Sequence, residues 1–398
     1  MVNIYVLDKN DLSVYGVIHN YGSLSFTTNY SEVGDFILSI DNRLSNSALL
    51  IKDRVITLDT QGVFAGMITG VTVEVEDDGS EIRKIYGKSM GIILKNRVVN
   101  NNGSNEYSFS QGYASEVMKD YVNKNLVNAT DSSRNVPHLV VGDNSNVGDQ
   151  IRWQSKFDNL LDVVEEISSY QRLGWNVIVD VDRGLMTFDV FEGRDLSDEI
   201  IFSTEYGNIE SQQYTHDEYE DKNFSYVAGE IYDLRVELDP ETGEVIEPVT
   251  SIISETTGEE ITIRKPRERR IYQIGDMSLS GLDRKEDYIE VSESEDEYID
   301  IPELGRRRLD GLQEMESFEA TVINTNLFSY GEDYNVGDIV SVYDTDWDEP
   351  KRMRVSSATI EINEGGDLVL RHTFGDILPT FLDKMNSSMK RFEPYTKK

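Results

Sequence analysis

The stretch Ile82 to Arg97, IRKIYGKSMGIILKNR, contains Gly87-Lys88-Ser89-Met90-Gly91 and so matches the G-x-S-x-G pattern of a serine hydrolase nucleophile elbow. An elbow needs a strand, a sharp turn and a helix, and Ile82 to Tyr86 followed by Met90 to Lys95 supplies that local order. It also needs a parallel sheet beneath it, with an acid and then a histidine later in the chain. The flanking sequence therefore decides between an α/β hydrolase with Ser89 as nucleophile and a β-rich chain in which Ser89 is a corner.

The flanks favour the corner. Leu24 and Phe26 alternate with Ser and Thr, Phe36, Leu38 and Ile40 alternate with polar partners, and Val71, Val73 and Val75 alternate with Thr72, Glu74 and Glu76. Period two with one apolar face predicts half-buried antiparallel strands. Turn residues at Asn20-Tyr21-Gly22, Val33-Gly34-Asp35, Asp59 to Gly62 and Asp77-Asp78-Gly79 separate them. This spacing predicts a small β-barrel or sandwich over residues 1–98. No HGGG-like oxyanion segment occurs, and His138, His216 and His372 sit in unremarkable surroundings. A phosphate loop fails too, because Ile82 stands where its first glycine is required.

Residues 99–199 change character and read as an α+β domain. After the polar loop Asn100-Asn101-Asn102-Gly103-Ser104, Ser110 is placed as the cap of a helix carrying Tyr113, Val117, Met118, Tyr121 and Val122. Ser155 and Asp158 resemble a capping box before the stripe Phe157, Leu160, Leu161, Val164 and Ile167, which Gly174 is expected to end. Trp175 to Val181 and Leu185 to Phe191 read as a hairpin across Asp182-Arg183-Gly184.

From Ile200 the pattern returns to β. Strands are expected at Phe224 to Val227, Asp233 to Leu238, Glu260 to Arg264, Phe318 to Val322, Ile339 to Val342 and Leu368 to Phe374, with a hairpin tip at Pro240-Glu241-Thr242-Gly243. The second β domain thus spans 200–281 and 316–377. It is interrupted at 282–315 by an acidic run, Glu290 to Asp300, and a short helix with Arg306, Arg307 and Arg308; a tail follows at 378–398. The expected class is mainly β with an α+β insertion.

Composition narrows the function classes. The 398 residues include no cysteine, which excludes disulfides, thiolate metal sites and cysteine nucleophiles. No apolar run approaches the roughly 18 residues of a membrane span, so no membrane insertion is expected, and MVNIYVLDKNDL lacks the features of a Sec signal. The formal net charge is −36, and residues 204–300 carry 27 acidic against 9 basic side chains. Such a surface repels nucleic acid and anionic lipid, which are bound by neutralising phosphates.

Metal signals are weak. Asp344, Asp346 and Asp348 imitate the start of a calcium loop, but its sixth and twelfth positions hold Glu349 and Val355 in place of glycine and glutamate. His216-Asp217-Glu218 with Glu220 and Asp221 is metal-capable and stays unassigned. No cofactor is expected. Carboxylate pairs for glycoside hydrolysis carry no information among 74 acidic residues, and the 21 tyrosines fall mostly at strand positions.

The order of segments, more than any one motif, carries a resemblance. GDFILSID (34–41), LIKDRVITL (50–58), GVFAGMITGV (62–71), YGKSMGIILKNRVV (86–99), GWNVIVDVDRGLMTFDVFEGRDLS (174–197), the segment 200–230, YGEDYNVGDIVSVYD (330–344) and LRHTFGD (370–376) follow in an order similar to that of long-tailed bacteriophage baseplate or tail-tip hub proteins, the family of siphophage minor tail and tail-associated proteins. The resemblance implies two antiparallel β-barrel domains related to the tail-tube fold. It implies a homotrimer whose six barrels form a pseudo-hexameric ring, capping the tube, joining a sixfold tube to a threefold tip and opening for DNA ejection. The implied partners are the distal tail protein, tail tube, tape measure and receptor-binding or fibre proteins, with DNA passing in transit only. The implied location is the virion tail tip, after assembly in the host cytoplasm. No cell-wall-cleaving extension is expected in this chain. Gly87, Ser89, Arg97, Gly207, Asn208, Gly337 and Asp338 are then structural turns and corners. The alternatives are a serine hydrolase using Ser89 and a β-rich protein that binds cell-wall carbohydrate.

Overall fold

The computed structural model describes residues 2–58, 63–75, 77–100, 108–231, 237–238, 245–246, 249–253, 260–264, 268–291, 301–323, 328–347 and 349–377. The turn at 59–62, most of the polar loop at 100–104, the hairpin tip at 240–243, most of the acidic run, Asp348 and the tail lie outside these residues. The protein is mainly β with few helices. Its described residues form two compact units, one made of Met1–Thr215 with the chain from Glu316 onward and the other of His216–Met315.

The first unit is organised by one sheet of 13 strands among the described residues. Its main path runs Ile209–Asp217, Met315–Val322, Leu368–Gly375, Lys351–Ile362, Ser23–Asn29, Asp35–Asp41, Glu81–Ser89, Ala65–Val75, Val55–Thr57, Ile4–Leu7, Val14–Ile18. Ile339–Val342 branches off, antiparallel to Lys351–Ile362 and parallel to Ile201–Phe202. The sheet thus takes strands from both sequence-predicted β regions, joined where Ser23–Asn29 pairs antiparallel with Ser357 to Ile362, whereas the expected strands between Phe224 and Arg264 pair in separate sheets of the other unit. That register sets Leu24 opposite Ile362, Phe26 opposite Ile360 and Thr28 opposite Ala358, so the inward-facing residues of the two strands coincide.

Alternation explains the strands. Ser23–Asn29 and Asp35–Asp41 bury every second residue, and Leu24, Phe26, Phe36, Leu38 and Ile40 enter one core with Ile4, Ile56, Ile68 and Ile85. Phe26 stacks on Phe36 with centroids 5.2 Å apart. Full burial of each such side chain stabilises the fold by roughly 2 to 3 kcal/mol. A second core gathers Phe202, Phe318, Tyr334, Val340, Val355 and Phe374, and Ile360 packs against both.

The α+β segment has its own core, which also takes in Leu7, Leu12, Val55, Ala65 and Met90 from the N-terminal region. The helix Ala114–Val122 buries Val117, Met118, Tyr121 and Val122, as its spacing predicts. The cap differs from the expectation: Ser110 lies within the strand Ser108–Tyr113, where its hydroxyl donates to Asp120 (2.6 Å), and the Tyr113 N–H is taken instead by Glu116 (3.2 Å). Likewise Asn159, not Ser155, caps Leu160–Gln171 by accepting from the Leu161 N–H (3.0 Å). Ser155 closes the strand Gln150–Ser155 and donates to Asp158 (2.8 Å). Arg172, in a left-handed conformation with φ 53°, ends that helix, and Gly174 already begins the strand Gly174–Asp180, which pairs with Leu185–Phe191 as the expected hairpin.

In the second unit Phe224–Ile231 pairs antiparallel with Glu268–Gly275 and parallel with Glu286–Val291. The arginine-bearing helix is Ile301–Asp310. Its Gly305 lies so close to the sheet that a Cβ there would stand 2.5 Å from Val227 Cγ2. Glu237–Leu238 pairs antiparallel with Val245–Ile246, and Val249–Ile253 with Glu260–Arg264. Among the described residues no helix is long and apolar enough to cross a membrane.

Candidate functional site

Ser89 ends the strand Glu81–Ser89, and the 3-10 helix Met90–Asn96 follows directly. Its N–H donates to the Gly34 carbonyl (2.9 Å) and its hydroxyl accepts the Gly34 N–H (3.0 Å), so both polar groups of the corner are engaged by one turn. Gly87 lies against Phe36: a Cβ there would stand 2.1 Å from Phe36 Cζ and 2.4 Å from the Met67 carbonyl oxygen. A hollow of about 210 Å³ beside Ser89 is lined by Glu32, Met90, Trp175, Asn176 and Tyr330 among others, with no histidine among its described residues. The general base that an elbow requires is therefore not assembled there. Beyond the corner, Arg97 donates through Nε and Nη2 to the Arg134 carbonyl (3.2 and 3.0 Å), and its own carbonyl accepts the Leu160 N–H (2.9 Å).

Gly337 and Asp338 belong to a clamp that ties three distant segments. Asp338 is buried; one carboxylate oxygen accepts the Arg194 N–H (2.8 Å), and the other accepts Arg194 Nη2 (2.6 Å) and the Asn335 N–H (3.0 Å). Gly337 has φ +102°, a conformation open to glycine, and a Cβ there would lie 2.7 Å from the ring of Tyr30. Its carbonyl accepts Arg354 Nη1 (2.5 Å). Tyr30, which sequence reasoning did not single out, is the centre of this clamp. Its N–H donates to Ser356, its carbonyl accepts from Trp175, its hydroxyl donates to the Arg172 carbonyl (2.9 Å), and its ring meets Phe191 edge to face at 5.6 Å. Burial pushes its phenol above the ordinary value.

Gly207 and Asn208 form a second corner. Gly207, at φ +66°, closes a turn onto the Thr204 carbonyl (3.1 Å). The buried Asn208 side chain accepts the Ser203 N–H (2.8 Å) and donates to the Ile201 carbonyl (2.7 Å), replacing ladder bonds where Ile201–Phe202 ends. Asp344 accepts the Asp346 N–H (2.9 Å) on one oxygen and the Gln212 amide on the other. These internal uses leave its carboxylate already partnered; Asp348 lies outside the described residues.

Two buried polar groups and one half-buried one carried no sequence signal. Lys119, 3% exposed, pairs with Asp189 (2.7 Å) and donates to the Asp143 carbonyl. His372 is buried against Tyr334 (2.8 Å), and burial pushes it down to about 3. Glu165 accepts the Val33 N–H (3.3 Å); burial, then the Glu32 charge, pushes its carboxyl up to about 7. In the sequence Lys119 sits beside the apolar helix stripe and His372 alternates within a strand, so only the fold supplies their partners.

Ser89, Asn208 and Asp338 each bond main-chain groups of neighbouring segments, and no catalytic triad is assembled at Ser89 among the described residues. Residues 3–376 match the model of the Siphovirus ReqiPepy6 Gp37-like protein family, and the chain belongs to that family of siphovirus tail proteins. Its fold is shared by the 43 kDa tail protein of prophage MuSo2 from Shewanella oneidensis (11% identity, 94% of this chain and 98% of that one, TM-score 0.54). It is shared also by the tail protein of Neisseria meningitidis MC58 (11%, 94% and 97%, 0.53) and prophage tail protein gp18 of Listeria monocytogenes EGD-e (11%, 99% and 100%, 0.52). No curated protein matches the chain.

Proposed function

We propose that the chain is the structural hub of a siphovirus tail tip or baseplate. In this reading it forms a homotrimeric ring that caps the tail tube, adapts sixfold to threefold symmetry and opens for DNA ejection. The observation that carries the proposal is a fold shared over nearly the whole length of this chain and of the prophage tail proteins. Two β regions fused through the pairing of Ser23–Asn29 with Lys351–Ile362 suit it, because each subunit then presents two sheet regions to a ring. The corners at Ser89, Asn208 and Asp338 hold geometry and perform no reaction. The net charge of −36 suits a channel wall that phosphates do not adhere to, so DNA is a passenger. Tail tube, distal tail, tape measure and fibre proteins are the proposed neighbours in the virion.

The test is the absolute mass of the purified chain by light scattering. A trimer of about 136 kDa, three times the 45.3 kDa chain, supports the hub. A monomer that also stays monomeric with its tail-tube partner overturns the ring.

A further inference from the structure

The second unit opens at His216 and closes just after Glu314, so the chain enters and leaves it through one place. There the His216 Nε2 lies 3.1 Å from Glu314 Oε2 and 3.9 Å from Glu218 Oε1, and the three donor atoms stand within 4.8 Å of one another. The edge of a tetrahedron of zinc ligands is about 3.3 Å, given metal–ligand bonds of about 2.0 to 2.1 Å. The two measured separations bracket it. We propose that His216, Glu218 and Glu314 form a binding site for a divalent transition metal of the zinc type, which clips the incoming strand to the outgoing one.

The donor set argues for that class of ion. One imidazole nitrogen and two carboxylate oxygens suit zinc, whereas calcium takes six to eight oxygens. Glu218 is aimed by its other oxygen: Lys285 donates to Oε2 (2.9 Å) and to Asp221 (2.7 Å), leaving Oε1 turned toward the histidine. Such an outer partner orients a ligating carboxylate. All three donors are solvent-exposed, so an ion reaches them without opening the fold, and water completes the coordination. A spacing of one residue between His216 and Glu218 places both donors at one strand end, and the third arrives from nearly a hundred residues away, which is why no motif announces it.

The intact chain is freed of metal with EDTA, dialysed, and titrated calorimetrically with zinc chloride and, separately, calcium chloride. The chain has no cysteine and four histidines, so competing zinc sites are few. One zinc per chain in the micromolar range is expected, with calcium at least tenfold weaker. His216→Ala and Glu314→Gln should each weaken zinc at least tenfold while leaving the metal-free urea transition unchanged. Glu314→Gln keeps shape and hydrogen bonding, so it serves should His216→Ala fold poorly. Zinc binding unchanged in both variants, absent in the wild type, or matched by calcium overturns the proposal. The outcome is independent of the trimer measurement.

Discussion

Asp338 and Arg194, 144 residues apart, meet through both main chain and side chain: the carboxylate accepts the Arg194 N–H at 2.8 Å and its guanidinium at 2.6 Å. Asp338 is buried and Arg194 is half-exposed, so the two ends of this pair are not equivalent. Asp338→Ala leaves the N–H groups of Arg194 and Asn335 without their acceptor and should cost about 3 kcal/mol. Arg194→Ala keeps the main-chain bond and should cost about 1 kcal/mol. Urea unfolding midpoints of the two variants check the asymmetry; equal losses would contradict it.

Tyr30 gives a second comparison. Tyr30→Phe removes the bonds to the Arg172 carbonyl and from Arg354 Nη1 (3.3 Å) but keeps the ring against Phe191, and should cost about 1 to 2 kcal/mol. Tyr30→Ala also empties the space between Gly174 and Gly337 and should cost about 3 to 5 kcal/mol. The ordering is read from thermal unfolding of the same oligomer.

The corner at Ser89 separates a structural from a catalytic role. Ser89→Ala should cost about 1 kcal/mol through the lost acceptor for the Gly34 N–H, with no change in p-nitrophenyl ester turnover. Gly87→Ala forces Phe36 and the Met67 carbonyl apart and should cost about 3 kcal/mol. Ester turnover by the wild type that vanishes in Ser89→Ala would reverse this assignment.

The half-buried Glu165 and the buried His372 oppose each other in pH. Glu165 is raised from 4.5 to about 7 in the folded chain, so its contribution is complete below 4.5 and is lost as pH rises through 7. Its carboxyl is partly solvated, so the loss is on the order of 1 kcal/mol. Glu165→Gln should remove that decline between pH 4.5 and about 7 and stabilise the chain at pH 8. His372 is lowered from 6.5 to about 3, so its contribution is complete above 6.5 and is lost as pH falls toward 3. His372→Gln should flatten the acid limb. Urea midpoints from pH 3 to 8 read both slopes.

Local chemistry made much of this legible. Alternation exposed Ser23–Asn29 and Asp35–Asp41, and helical spacing exposed the buried stripe Val117, Met118, Tyr121 and Val122. Caps were misplaced because a serine near a helix start serves a strand equally well: Ser110 and Ser155 each bond an acid within ten residues without capping anything. Gly337 and Asp338 were recognisable as a turn, but not Tyr30, whose importance lies in touching Arg172, Phe191 and Arg354 at once.

Residue order alone determined the alternating strands Ser23–Asn29 and Asp35–Asp41, the hairpin of Gly174–Asp180 with Leu185–Phe191, the buried stripe of Ala114–Val122 and the absence of thiol chemistry, because each follows from neighbours a few positions apart. The tertiary structure decided that Ser23–Asn29 pairs with Lys351–Ile362 and fuses two β regions into one sheet. Every half-buried strand offers the same backbone ladder, so partner choice rests on which side chains fit: Leu24 against Ile362 and Phe26 against Ile360, with Thr27 and Thr359 hydroxyls 2.8 Å apart. The same closure across more than 300 residues set Tyr30 beside Gly337, a meeting that no local spacing encodes.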